Sequence, residues 1–222
     1  MAPPDLSRRF IAPEWLDDAP PEEAGKSLGD LRRINRFFGG HRTLQSALRP
    51  LLTPGSSVLD VGAATADHAA LLRNVRVVSA DLSHEHLQLG KGDRVTCDGF
   101  ALPFAAGSFD IVIANLFLHH FEDEAIVELL RGFRRIAARA VVITDLERHL
   151  LAWYFLPFTA PVLGWHPLTL HDGPVSVAAA FQPEELRTLF ERAGMQSVRI
   201  RKHRPWFRIS AVWVAGRTQE SL

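Results

Sequence analysis

The chain has 222 residues, 47% of them hydrophobic, which is enough to fill the core of one domain. Lys plus Arg equals Asp plus Glu at 25 each, so no excess positive charge draws it to nucleic acid, and DNA or RNA binding is discounted. Cys97 is the sole cysteine, which rules out an internal disulfide and points to a reducing, cytoplasmic compartment.

The opening Met1-Ala2-Pro3-Pro4-Asp5 has no apolar run behind a basic start, so no secretory signal is expected. Residues 1–26 are rich in Pro and acid and read as an arm or a loose lead-in, with Phe10, Ile11, Trp15 and Leu16 as docking points. Residues 27–222 read as a single domain. Its helical lead-in, 27–54, starts at Ser27, with Leu31, Ile34 and Phe38 on one face and Gly39-Gly40 as the stop. A second helix is expected from His41 to Leu52, kinked at Pro50.

Val58-Leu59-Asp60-Val61-Gly62-Ala63-Ala64-Thr65-Ala66-Asp67 then reads as a buried strand ending in an acid, a tight turn and a helix start. Ligands of open α/β sheets bind at such carboxyl ends. Val75 to Ala80 is a second strand ending in Asp81, about twenty residues beyond the first turn, the spacing at which an acid meets ribose hydroxyls. A helix N-cap is the plainer role for Asp81, and both can coexist. Val95 to Cys97 gives a third short strand, followed by Asp98-Gly99. Ala101 to Asp110 holds a turn that sets Phe104 and Phe109 into the core. Ile111 to Ala114 is apolar without alternation, as in a central strand covered on both faces, and leads into Asn115-Leu116-Phe117-Leu118-His119-His120. A helix from Glu122 buries Ile126, Leu129, Leu130 and Phe133, and Val141 to Thr144 is a fifth strand ending in Asp145.

No charge stands between His149 and His166, where Trp153, Tyr154, Phe155, Phe158 and Trp165 crowd together. A membrane span needs about 20 apolar residues. This run is shorter and broken by Pro157 and Pro161, so residues 147–180 are expected to form an inserted cap over an apolar or aromatic ligand, or alternatively a core element, a homodimer contact or a membrane-touching patch. A helix from Gln182 ends at Gly194, and Ser197 to Lys202 and Phe207 to Ala215 close the sheet as a hairpin. The tail after Gly216 is expected to be loose.

Val58 to Ala66 resembles motif I of the class I S-adenosylmethionine (SAM)-dependent methyltransferases, and Leu102-Pro103-Phe104 with Ser108-Phe109-Asp110 is similar to the signature before their fourth strand. The resemblance implies an α/β, Rossmann-like, seven-stranded and mostly parallel sheet. It would have a C-terminal β-hairpin, helices on both faces and an apolar helical insert after strand five. It implies SAM as cofactor, S-adenosylhomocysteine as product and no metal. Asp60, Gly62 and Ala63 would face the cofactor, Asp81 its ribose and Leu82 the adenine face. Asp98 and Gly99 would meet the adenine amino group, and Asn115 would stand near the transferred methyl. The motif departs from the family pattern because only Gly62 is kept, with Ala64 and Ala66 at the other two glycine positions. If either needs a left-handed backbone, Ala costs about 1–2 kcal/mol there.

Methyl transfer needs an aligned and deprotonated acceptor, and histidine suits the proton-accepting task. His120, slightly ahead of His119, is the base candidate, with Asp145 orienting it or binding a hydroxyl. The runs Leu31-Arg32-Arg33-Ile34-Asn35-Arg36 and Thr144-Asp145-Leu146 further resemble bacterial methyltransferases that accompany type III polyketide synthases, which would imply O-methylation of a phenolic or polyketide hydroxyl on a small, apolar acceptor. Methylation at carbon, a binding subunit that has lost catalysis, and a chain that binds SAM without methylating stay open. No His, Cys and acid cluster has metal-ligand spacing.

Overall fold

The computed structural model describes residues 3–216; the tail after Gly216 lies outside the described residues. Seven strands form one sheet: β1 (Ser57–Val61), β2 (Arg76–Asp81), β3 (Asp93–Thr96), β4 (Phe109–Asn115), β5 (Ala137–Leu146), β6 (Arg199–His203) and β7 (Arg208–Val214). Their order is β3-β2-β1-β4-β5-β7-β6, parallel except for β7, which runs antiparallel to β5 and β6. This is the expected sheet with its closing hairpin. Central strands lack alternation because both faces are covered. Val58 and Leu59 of β1 are both fully buried yet belong to different core clusters, one on each side of the sheet.

The helices are α1 (Pro21–Phe37), α2 (Gly40–Leu48), α3 (His68–Leu71), α4 (His84–Gln88), α5 (Asp123–Ile136), α6 (Leu150–Leu163), α7 (Pro167–Ala179) and α8 (Pro183–Arg192). Because the strand order reverses at β1 and β4, the crossovers leave a crevice at their carboxyl ends, and the site sits there. The segment expected as a cap forms α6 and α7, which pack on each other and on α1. On α6, Leu151, Phe158 and Val162 stay exposed, while Trp153 and Leu156 turn inward. None of the described helices is long and apolar enough to cross a membrane.

Two boundaries differ from expectation. Helix α1 begins at Pro21, ahead of Ser27, because Pro at the first position and Glu22 and Glu23 in the first turn suit a helix start. Ser27 is instead buried in mid-helix, 3.0 Å from the Thr169 hydroxyl. Helix α2 ends at Leu48, so Pro50 follows its end rather than kinking it.

The N-terminal arm is docked. Arg9 donates to the Ala179 carbonyl (2.9 Å), the Phe121 carbonyl (2.8 Å) and Asp123 (2.6 Å), and its guanidinium lies over the Phe181 ring. Arg148, 2% exposed, donates to the Leu6 carbonyl (2.9 Å) and to both oxygens of Glu185 (2.9 and 2.6 Å). Glu185→Ala should therefore strand a buried guanidinium. The expected loss in urea unfolding is about 2–3 kcal/mol, below the value for a fully buried pair because Arg148 keeps its backbone acceptors. A loss under about 0.5 kcal/mol would contradict this account.

Candidate functional site

The turn after β1 has a left-handed backbone at alternate positions, with φ of +68° at Gly62, +43° at Ala64 and +52° at Ala66. Both alanines therefore carry the strain that the missing glycines would have avoided. Their methyls do not block the rim alike. Ala66 is buried with Ala63 and Leu87, beneath the turn, and Ala64 is half-buried. The turn is held from three sides. Gly62 and Ala63 donate to the Ala80 carbonyl, Ala64 N–H donates to Asp81 Oδ2 (2.8 Å), and Arg32 of α1 reaches Asp67 (3.1 Å).

The three rim acids come from adjacent parallel strands but differ in access. Asp60 is fully buried, with His68 Nδ1 2.8 Å from its Oδ2 and no partner on Oδ1. Asp81 is half-buried and accepts from Ala64 N and Ser83 N (each 2.8 Å); Ser83 itself caps α4. Asp98 is exposed and accepts from Phe100 N (2.9 Å). Leu82 is 75% exposed. Phe117 lies across Gly62 so closely that a Cβ there would collide with its ring, and the ring edge also approaches Gly99. Asn115, at the end of β4, accepts from the Thr144 hydroxyl (2.6 Å).

Beyond β4 the chain makes a 3₁₀ turn, Leu118–His120, which places both histidines in one cluster with ring centroids 4.2 Å apart. Simple helical spacing would have splayed them. His119 is buried, with Nδ1 2.7 Å from Asp145 Oδ1 and Nε2 3.8 Å from Glu14 Oε1. Burial opposes a charge on His119, but the two carboxylates outweigh it and raise its pKa to about 10. Burial likewise opposes the Glu14 charge, yet His119, His120 and the Ser176 hydroxyl bring it down to about 2. His120, whose Nδ1 is 4.0 Å from Glu14, is pushed the other way, to about 4, by burial and then by the His119 charge. At neutral pH the pair is one imidazolium beside one neutral imidazole. Glu14, His119 and His120 also offer ligand atoms within 4.8 Å of one another. Sequence spacing could not show this grouping, because Glu14 comes from the N-terminal arm.

These groups open on a cavity of about 280 Å³ under α6 and α7. Leu31 and Ile34 of α1, Phe38 just after it, Phe155 and Leu156 of α6, and Trp206 and Phe207 before β7 make it apolar. Leu116, His119 and His120 bring the β4 loop to the same wall. Glu14 and Arg208, which also line it, carried no motif in the sequence. Glu14 stands in a Pro-rich arm and is placed only because Asp172 of α7 accepts from Trp15 N (2.9 Å) and Leu16 N (3.0 Å). Arg208 had one faint signal, a lone charge at the head of an apolar strand.

Two outcomes follow. Ala64→Gly should gain up to about 1 kcal/mol in thermal or urea unfolding, because relief of the positive φ exceeds the added freedom of the unfolded chain. The His cluster gives stability a maximum in pH. His119, raised from 6.5, contributes fully below pH 6.5, and its contribution is lost as pH rises through about 10. His120, lowered to about 4, costs stability as pH falls from 6.5 through 4. Glu14 contributes above 4.5 and is lost towards about 2. Unfolding followed across pH should show that His120→Gln flattens the limb between 4 and 6.5; an unchanged limb would refute the assignment.

Comparison with known proteins gives a consistent picture. Residues 59–142 match the family model described as a methyltransferase domain. A tRNA (carboxymethyluridine(34)-5-O)-methyltransferase of Xenopus tropicalis is 28% identical over 105 residues, which is 44% of this chain; the chain spans only 17% of that relative's length. Among solved structures, the plantazolicin methyltransferase in complex with S-adenosylhomocysteine aligns with a TM-score of 0.65 at 15% identity, covering 91% of this chain and 93% of that one. A SAM-dependent methyltransferase of Aquifex aeolicus gives 0.61 at 14% identity over 88% and 98% of the two chains. The magnesium protoporphyrin IX methyltransferase of Synechocystis PCC 6803 gives 0.57 at 19% identity over 85% and 95%. Three further structures are longer, with the chain covering 56% to 66% of each. In its matched segment and its strand order alike, the chain has the fold of the class I S-adenosylmethionine-dependent methyltransferases.

Proposed function

We propose that this protein binds SAM along the carboxyl rim of β1, β2 and β3 and transfers its methyl group to a small, largely apolar acceptor, a phenolic or polyketide hydroxyl, in the cavity under α6 and α7. The half-buried Cys97 fits a reducing, cytoplasmic setting. The observation that carries the reading is that the loop after β4 sets a neutral imidazole in the wall of an apolar cavity, while β4 itself pairs with β1, the strand that carries Asp60.

The rim residues fit the cofactor. Asp60 keeps a buried oxygen without a partner, and a carboxylate such as Asp81 has acceptor capacity beyond its two backbone donors. Asp98 is open to solvent at the end of β3. When bound, SAM supplies a methyl group already activated by a sulfonium. The chain supplies alignment and proton transfer. His120, neutral at pH 7, has a lone pair to accept the hydroxyl proton. His119, held as the imidazolium by Asp145 and Glu14, stabilises negative charge developing on the acceptor oxygen and keeps its own protons. The aromatic walls hold the acceptor and exclude water.

A second reading, a binding subunit without catalysis, is favoured by the two strained alanines and by Phe117 lying on Gly62. Calorimetric titration with SAM and S-adenosylhomocysteine separates the two readings. Saturable heat is expected for both ligands; no heat and no thermal shift at millimolar ligand would overturn the first reading. In a radiolabelled-methyl assay over phenols and quinols, His120→Gln should lower kcat by about 10²–10⁴-fold, and His119→Gln should also slow turnover. Full activity in both variants would reject these roles.

A further inference from the structure

The mechanism above leaves Arg208 unused. It opens β7, paired with Leu146 of β5 and His203 of β6, and lines the cavity while only 4% exposed. Its Nε and Nη1 are buried without a hydrogen-bond partner. Burial lowers its pKa only to about 10, with Asp145 opposing the shift, so the guanidinium is charged at neutral pH.

Among the described residues, no acid satisfies it. Asp145 acts on Arg208 through space, but its Oδ1 is engaged by His119 Nδ1 and Leu146 N (each 2.7 Å), and its Oδ2 has no partner. Glu14 serves His119 and the Ser176 hydroxyl, and Asp172 serves Trp15 N and Leu16 N. A buried charge without a partner is costly, and chains keep one where a ligand completes it. The planar guanidinium matches a carboxylate with two parallel hydrogen bonds. The rings of Phe38, Phe155, Trp206 and Phe207 line the same cavity.

We propose that the cavity selects an aromatic organic acid, its carboxylate received by Arg208 and its apolar body held among these rings. This deepens the methyl-transfer reading and rests on it for the fate of the hydroxyl alone, since acid binding needs no cofactor. The amino-acid end of SAM carries the same carboxylate chemistry, so the test separates the two sources.

The full chain, without cofactor, is titrated calorimetrically with 6-hydroxy-2-naphthoate and with 2-naphthol, which differ in the carboxylate. The wild type should bind the acid at least about ten-fold more tightly. Arg208→Met should abolish that preference, keep the affinity for 2-naphthol and raise the melting temperature, because an uncompensated charge has gone. Arg208→Lys should keep part of the preference. SAM affinity should be the same in Arg208→Met as in the wild type. A wild type indifferent to the carboxylate, or an Arg208→Met variant that keeps the preference, would overturn the proposal. So would a lower melting temperature, which makes Arg208 a structural residue, or a loss of SAM binding, which assigns it to the cofactor. Failure of the methyl-transfer reading shows separately, as absent SAM heat in a wild type that still prefers the acid.

Discussion

His119 is buried and yet charged because a carboxylate lies on each side of it. An isolated imidazolium in this position would lose its proton; Asp145 on one face and Glu14 on the other keep it charged. The three groups come from β5, the loop after β4 and the N-terminal arm, so a single electrostatic arrangement ties the sheet rim to the segment that closes over it. The arm is in turn strapped down by Arg9 and Arg148 and gripped by Asp172 of the cap. The site is thus complete only when the first part of the chain has folded back onto the last helices.

That charge sets the character of its neighbour. His120 is a few ångströms away, and its neutrality follows from burial and from standing beside a fixed cation. Two adjacent residues of one type are driven to opposite protonation states by environment alone, which makes one a proton acceptor and the other a source of fixed positive charge. The cavity beyond them is mostly hydrocarbon and aromatic. Charges in its wall are weakly screened and act strongly on anything that enters. Arg208 is the outlying member of this set, a cation to which the described residues offer no direct counter-charge.

The turn after β1 shows a different economy. Its path is set by the backbone: three left-handed positions, donors to Ala80 and Asp81, and Arg32 clamping it from α1. Glycine would meet that path without strain, but alanine also follows it, and Ala66 repays part of the cost by burying its methyl with Leu87. Asp81 likewise serves the structure and the rim together, since accepting from the turn and from the start of α4 leaves it further lone pairs.

The sheet was legible in the sequence because its signals are local. Val58-Leu59 and Ile111-Val112-Ile113 are apolar without alternation since both faces are covered, and Asp60, Asp81 and Asp145 mark strand ends. The same local chemistry pointed to His119, His120 and Asp145. It named Trp15 and Leu16 as docking points of the arm but not what holds it, because the partners, Asp172, Phe181 and the Ala179 carbonyl, are far away in sequence. Glu14 and Arg208 were invisible for that reason. Their roles come from burial and from charges on other elements, and neither leaves a periodicity or spacing to read. Residue order determined the fold and the position of its rim. Only tertiary packing decided which histidine is charged, what closes the cavity and which cation inside it stands alone, because desolvation and pairing depend on groups brought together across the whole chain.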